Sequence, residues 1–186
     1  MALLITGLHV VTSGLVEVGD LVASGGIAFA SGGVLSNTTV DSGGFELVAS
    51  QEFPNPVPLG GFSETLGIAI GTIVNAGGVD LVFSNGVVSN TFVSTGGLEV
   101  LEGPATGFTK VGSSFDTTVD GGLQIVFGFA NGTTVNSGTE IVWAGGFSES
   151  STLNGRSSFE FVLGAWQTNP VCRPLCLDFT APGVLM

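Results

Sequence analysis

The chain has 186 residues, with 15 acids against three cations and a formal net charge of −12. Charged residues make up only 10% and hydrophobic ones 44%, which rules out a disordered polar tract. Three cations cannot build a phosphate-binding surface, which argues against nucleic acid as a partner, and no run approaches the ~20 apolar residues that span a bilayer. The 31 glycines do not recur at every third position, so collagen is excluded as well.

In chain order, the opening Met1-Ala2-Leu3-Leu4-Ile5-Thr6-Gly7 is apolar but has no cation ahead of it, so it does not read as a signal peptide. His9 stands apart from any nucleophile or acid constellation and reads as structural or incidental. A weak repeat copy starts at Val11. The first clear unit is Thr39-Val40-Asp41-Ser42-Gly43-Gly44-Phe45-Glu46-Leu47-Val48: a β-branched pair, a small polar residue, a spacer, Gly-Gly, any residue, an acid, then two apolar residues. The segment 51–58 follows, with Pro54, Pro56 and Pro58, and predicts a loop insertion because proline cannot donate to a ladder.

The unit returns as Ile73-Val74-Asn75-Ala76-Gly77-Gly78-Val79-Asp80-Leu81-Val82 and again as Phe92-Val93-Ser94-Thr95-Gly96-Gly97-Leu98-Glu99-Val100-Leu101. A second insertion is predicted at 103–107, around Pro104. Thr118-Val119-Asp120-Gly121-Gly122-Leu123-Gln124-Ile125-Val126 repeats the unit with one residue deleted, and Thr134-Val135-Asn136-Ser137-Gly138-Thr139-Glu140-Ile141-Val142 with Thr for the second glycine. An alternating motif links Val82–Val93 with Val142–Leu153; in it Gly145-Gly146-Phe147 echoes Gly60-Gly61-Phe62. A weak copy near Leu153 ends the array. From Ala165 to Met186 the pattern breaks, and Cys172 and Cys176 fall in this tail, which reads as a cap over the last coil or as a truncated end.

Short Val-, Ile- and Phe-rich runs alternate with period two, and Gly-Gly, Ser-Gly and Asn-Gly pairs supply tight corners. A unit of 19 positions, Gly78 to Gly97, cannot bury its own apolar side. Stacked in register, such units share one core. The expected fold is therefore all-β, a parallel β-solenoid of about seven or eight short coils with two proline-containing loop insertions. Residues 1–164 form the array and 165–186 the off-pattern end. Asp41, Asn75, Ser94, Asp120, Asn136 and Asn154 occupy one matched place and predict a corner ladder that caps backbone groups. The turn glycines beside it are Gly43, Gly44, Gly77, Gly78, Gly96, Gly97, Gly121, Gly122, Gly145 and Gly146. The acids Glu46, Asp80, Glu99 and Glu140 predict a second ladder, which repulsion should turn to solvent. Phe45, Leu47, Val79 and Leu81 are then expected inside, with the surplus acid keeping the outside soluble.

The pattern Thr-x-Val-x-x-Gly-Gly-x-Glu-x-Val, in five good copies between about residues 11 and 162, resembles the passenger repeats of AIDA-type autotransporter adhesins. That resemblance implies a right-handed, pertactin-like β-helix outside a bacterial cell, secreted or displayed at its surface, with a structural or adhesive and non-catalytic role. A host-surface glycan or protein, or a second copy, would be the partner; no catalytic residue, metal or cofactor is implied. The alternative is a glycan- or calcium-binding module on the same scaffold, although the nonapeptide calcium repeat has a third glycine missing here. A polysaccharide-acting enzyme is the third reading, disfavoured because the acids are spread at repeat spacing and not paired in one cleft. The threonines ahead of each Val anchor, such as Thr38, Thr91, Thr117 and Thr133, read as β-propensity and not as an ice-ordering array.

Overall fold

The computed structural model describes residues 2–54, 62–104, 110–163, 166–168, 171–173 and 177–180. Every regular element among them is a strand. Three parallel sheets form the walls of a β-solenoid. The first holds nine strands, from Leu4–Ile5 to Val171–Arg173; the second holds nine, from Leu8–Thr12 to Leu177–Thr180; the third holds eight, from Val16–Val18 to Trp166–Thr168. The chain visits first, second and third sheet in turn, so each circuit lays one strand onto each wall. Equivalent residues pair directly: Val74 with Val40 and Val93, Asp80 with Glu46 and Glu99, Val88 with Ala69 and Ser114.

Each glycine pair turns a corner, between first and second sheets except at Gly145-Gly146 where second passes to third, and its two members serve different reasons. Gly77 has φ +76°, a left-handed conformation that costs a side-chain-bearing residue about 1–2 kcal/mol. Gly78 has ordinary dihedrals, but a Cβ there would lie 2.4 Å from the carbonyl oxygen of Val40 in the coil below. The second glycine serves close approach between coils, a role the sequence reading had given to positive φ. Gly43 and Gly44, Gly96 and Gly97, and Gly145 and Gly146 repeat this division.

The core consists of vertical columns. Val22, Val40, Val74, Val93, Val119 and Val135 line the first wall, and Val48, Val82, Leu101, Val126, Val142 and Val162 the second; all are buried. Alternation in the second wall runs opposite to expectation. Phe45 and Leu47 face outward, whereas Glu46 and Val48 face inward. The same holds for Val79 and Leu81 against Asp80 and Val82. The acid ladder therefore does not face solvent: Glu46, Asp80, Glu99 and Glu140 are each 0% exposed. The reason is parity. The acid and the Val or Leu two positions later share a face, and that apolar anchor belongs to the core. Among the described residues six acids are buried (Asp20 and Glu160 are the others), so much of the surplus acid does not serve solubility.

The first predicted insertion begins as an antiparallel hairpin, Gln51–Pro54 against Phe62–Thr65, standing off the coil between Phe45–Ala49 and Ile68–Ile70. Pro54 forms its last pair, with Phe62; Pro56, Pro58, Gly60 and Gly61 lie outside the described residues. Of the second insertion, Gly103 and Pro104 are described and lie outside any strand, while 105–107 are not described. In the tail, Trp166–Thr168, Val171–Arg173 and Leu177–Thr180 continue all three sheets, pairing Trp166 with Phe147, Cys172 with Leu153 and Asp178 with Glu160. Cys176 lies outside the described residues.

Candidate functional site

Three chemically distinct features run along the solenoid: a polar lane inside it, a corner ladder at its edge, and an apolar outer wall. The inner lane is built by one position of the second sheet, Glu46, Asp80, Glu99, Gln124, Glu140 and Glu160, stacked in register at the ~4.8 Å coil spacing. Opposite it stands the residue that precedes six of the first-sheet strands: Thr38, Thr72, Thr91, Thr117, Thr133 and Ser151, all buried. Ser114 and Ser148 of the third sheet complete the lane.

Hydrogen bonds tie these columns together unevenly. Thr72 Oγ1 donates to Glu46 Oε1 at 2.7 Å. Gln124 Nε2 donates to Glu99 Oε2 at 2.6 Å and Thr133 Oγ1 to Gln124 Oε1 at 3.0 Å. Ser148 and Ser151 donate to the two oxygens of Glu140 at 3.0 and 2.9 Å. Asp80 differs: neither of its carboxyl oxygens has a partner, nor does Glu46 Oε2, Thr38 Oγ1 or Thr91 Oγ1. Lys110 and Arg156 are exposed, on the outside of the coil and not in this lane. Burial, against its hydrogen bonds, pushes Glu46 and Glu99 up to about 7. Burial, reinforced by repulsion from Glu46 and Glu99, pushes Asp80 well above the usual carboxylate range; burial also raises Glu140.

The calcium reading asks for convergent oxygen donors. Among the described residues, no three His, Cys, Asp or Glu side chains are arranged to hold a metal ion. The acids instead follow one another along the axis. His9 lies in register with Ala28, which pairs with Glu46, at the start of this same column. It is partly exposed, and its Nε2 lies 2.8 Å from Glu17 Oε2, a pairing across a coil that sequence distance had concealed.

The corner residues named from sequence sit half-exposed along one edge, apart from the exposed Asp120. Asn75 Nδ2 donates to Asp41 Oδ1 at 2.7 Å, and Asn154 Nδ2 to Asn136 Oδ1 at 3.3 Å. Ser94 Oγ donates to the carbonyl of Val74 at 3.0 Å. Thr95 Oγ1 donates to the Asp120 carbonyl at 3.4 Å. Beside them the turn glycines form their own spine: Gly43 N–H donates to Gly77 O and Gly77 N–H to Gly96 O, at 2.9 and 2.8 Å. These contacts hold coils together at the corner.

The outer face of the second sheet carries two apolar columns. One runs Leu8, Ile27, Phe45, Val79, Leu98, Leu123 and the other Val10, Phe29, Leu47, Leu81, Val100, Ile125. Leu8 is 68% exposed and Phe45 38%. On the third sheet, Phe147 is partly exposed and stacks on Phe129 at 5.7 Å, which makes it a surface residue; the side chain of Phe62 lies outside the described residues. A shallow hollow of about 560 Å³ lies beside the exposed Phe127, between Glu102, Gly103, Pro104 and the corner Ala144-Gly145. Phe127 stacks on Trp143, centroids 6.0 Å apart.

No protein-family model matches the chain, and no curated protein does. Among solved structures, the TibC-catalysed hyper-glycosylated TibA fragment matches with a TM-score of 0.64 and 25% identity, over 91% of this chain. This chain spans 62% of that fragment. TibA is an AIDA-type autotransporter adhesin and the fragment belongs to its passenger. The likeness carried in sequence by five Gly-Gly units thus extends to the fold: the chain resembles the passenger of an AIDA-type autotransporter adhesin, with the same parallel β-solenoid construction.

Proposed function

We propose that this chain is a rigid, non-catalytic rod segment of a secreted or surface-displayed bacterial protein, and that it adheres through the outer wall of its second sheet. The observation that carries the reading is the pair of uncharged apolar columns on that wall. Scattered apolar side chains on a surface need no explanation, but contiguous in-register columns do. Six coils at ~4.8 Å, with strands four to five residues long at ~3.3 Å per residue, give a face of roughly 30 by 15 Å. That is about 450 Å², over half of the ~800 Å² each partner contributes to a standard interface. The occupant of this face is a second copy, laid wall to wall. A non-catalytic role is supported by where the acids sit: a hydrolase needs carboxyls that meet a substrate, and these are sealed inside the coil.

Sedimentation of the full chain across concentrations tests this. Dimers or larger species are expected, and Leu81→Lys should abolish them while leaving the circular dichroism spectrum unchanged. A chain monomeric at ~0.1 mM, or a lysine variant that associates as before, would sink the reading.

A second reading has its own observation. The hollow beside Phe127 combines an exposed aromatic ring with the exposed residue Glu102, the mixed lining that sugar recognition uses. A glycan array read with wild type and Phe127→Ala separates it from self-association, because the two surfaces meet only at Val100 and Phe127 lies outside the apolar columns.

A further inference from the structure

We propose that the inner acid stack is a proton-loaded clasp: the coils carrying Glu46, Asp80 and Glu99 close with their carboxyls neutral and loosen as pH rises past neutrality. Geometry carries this. Three carboxyls follow one another on adjacent coils, each fully buried, so only a one-coil separation divides them. Two ionised neighbours at that distance repel strongly in a water-poor interior. Neutral acids avoid the repulsion and gain a donor.

The groups around Asp80 offer no other remedy. Its own strand, Val79–Val82, brings no second titratable group. The strand Phe45–Ala49 contributes Glu46 and the strand Leu98–Leu101 contributes Glu99. The corner before Ile73–Val74 contributes only the hydroxyl of Thr72, already given to Glu46. The third-sheet strands Ile68–Ile70 and Val87–Ser89 turn Ala69 and Val88 inward. Farther along the stack stand Gln124, Glu140 and Glu160. Toward the other end lie the buried Asp20, whose Oδ1 accepts the Leu3 N–H, and the His9–Glu17 pair. The stack also adjoins the one described coil that sends out a hairpin, Gln51–Pro54 with Phe62–Thr65, from the corner between its second-sheet and third-sheet strands.

The sign follows from proton counts. Unfolded carboxyls ionise near 4–4.5, whereas Glu46 and Glu99 hold their protons to about 7 and Asp80 also holds its proton well above its usual range. Between these limits the folded chain binds more protons, so stability is fully present below ~4.5 and is lost as pH rises through about 7.

The test is the proton release on unfolding of the full chain in urea at pH 6, measured in weakly buffered solution. At least three protons should be released by wild type, from Glu46, Asp80 and Glu99, with Glu140 adding to them. Asp80→Asn should release about one fewer, and the exposed control Asp120→Asn as many as wild type. In parallel, the urea midpoint of wild type should fall steadily from pH 4.5 to 8. If Asp80→Asn does not fold, the wild-type release and an infrared band of neutral carboxyl persisting at pH 6 still decide the matter. Zero release, a midpoint that rises with pH, or a pH dependence erased by added calcium would overturn the proposal; the last would mean that a cation, not protons, neutralises the stack.

Discussion

Gln124 donates its amide to Glu99 Oε2 at 2.6 Å, and it is the one member of the stack between Glu46 and Glu160 that is not an acid. It also accepts from Thr133, so the amide uses a donor on one side and an acceptor on the other. Replacing it shows what the lane tolerates. Gln124→Glu makes the run from Glu46 to Glu160 acidic throughout. The new carboxyl, buried among acids, has its pKa raised, so its cost is small below ~4.5 and grows as pH climbs. The expected loss is about 3 kcal/mol at pH 7.5, with little change at pH 4.5. Urea titrations at the two pH values check it, and an equal loss at both would mean that packing alone is at stake.

The corner ladder makes a different prediction, because its groups remain half in water. Asn75 spans from its own coil to Asp41 of the coil below at 2.7 Å. Asn75→Ala removes one hydrogen bond to a carboxylate and should cost about 1–2 kcal/mol. Asn75→Asp sets two carboxyls face to face and should cost more at pH 7 than at pH 3. Thermal melts of both variants at both pH values distinguish a capping role from mere spacing.

Much of this architecture can be read from the residues alone, and the failure is specific. The units starting at Thr39, Ile73 and Phe92 reveal strand, corner and stacking, because Gly-Gly and β-branched pairs carry physical demands that do not depend on context. Period two establishes that Phe45 and Glu46 lie on opposite faces. It does not say which face is inside. Charge argued for Glu46 outside, and the structure overrules charge with packing. A usable signal was present: the column Val48, Val82, Leu101, Val126, Val142, Val162 is uniform in size, as a confined column must be, while Phe45, Val79, Leu98, Leu123, Thr139, Phe159 varies freely. The acids share parity with the uniform column. The His9–Glu17 contact was not legible, since it depends on the corner that brings two walls together.

The glycine pairs should respond unequally to the same change. Gly78→Ala places a Cβ 2.4 Å from a backbone carbonyl of the neighbouring coil, which can yield only if the coils part. A loss above ~3 kcal/mol is expected. Gly77→Ala meets the Ser42 hydroxyl at 2.7 Å, which can rotate away, and otherwise carries the left-handed penalty of about 1–2 kcal/mol. Chemical denaturation of the two single variants ranks them, and the reverse order would contradict the division of labour at the corner.

Leu47 and Val48 put the inverted parity to its most direct test, since they are neighbours on one strand and both apolar. Val48 is 0% exposed in the column shared with Val82, while Leu47 lies on the outer wall beside Leu81. Val48→Asn would bury an amide with no designed partner and displace a packed side chain, at a cost of about 4 kcal/mol. Leu47→Asn leaves its amide in water and should cost less than ~1 kcal/mol, while weakening association through the wall. Had the acids faced solvent, the two effects would be exchanged. Urea unfolding paired with sedimentation reads both, and because each variant has a different expected deficit, a protein damaged in both respects by either change would contradict the assignment of faces.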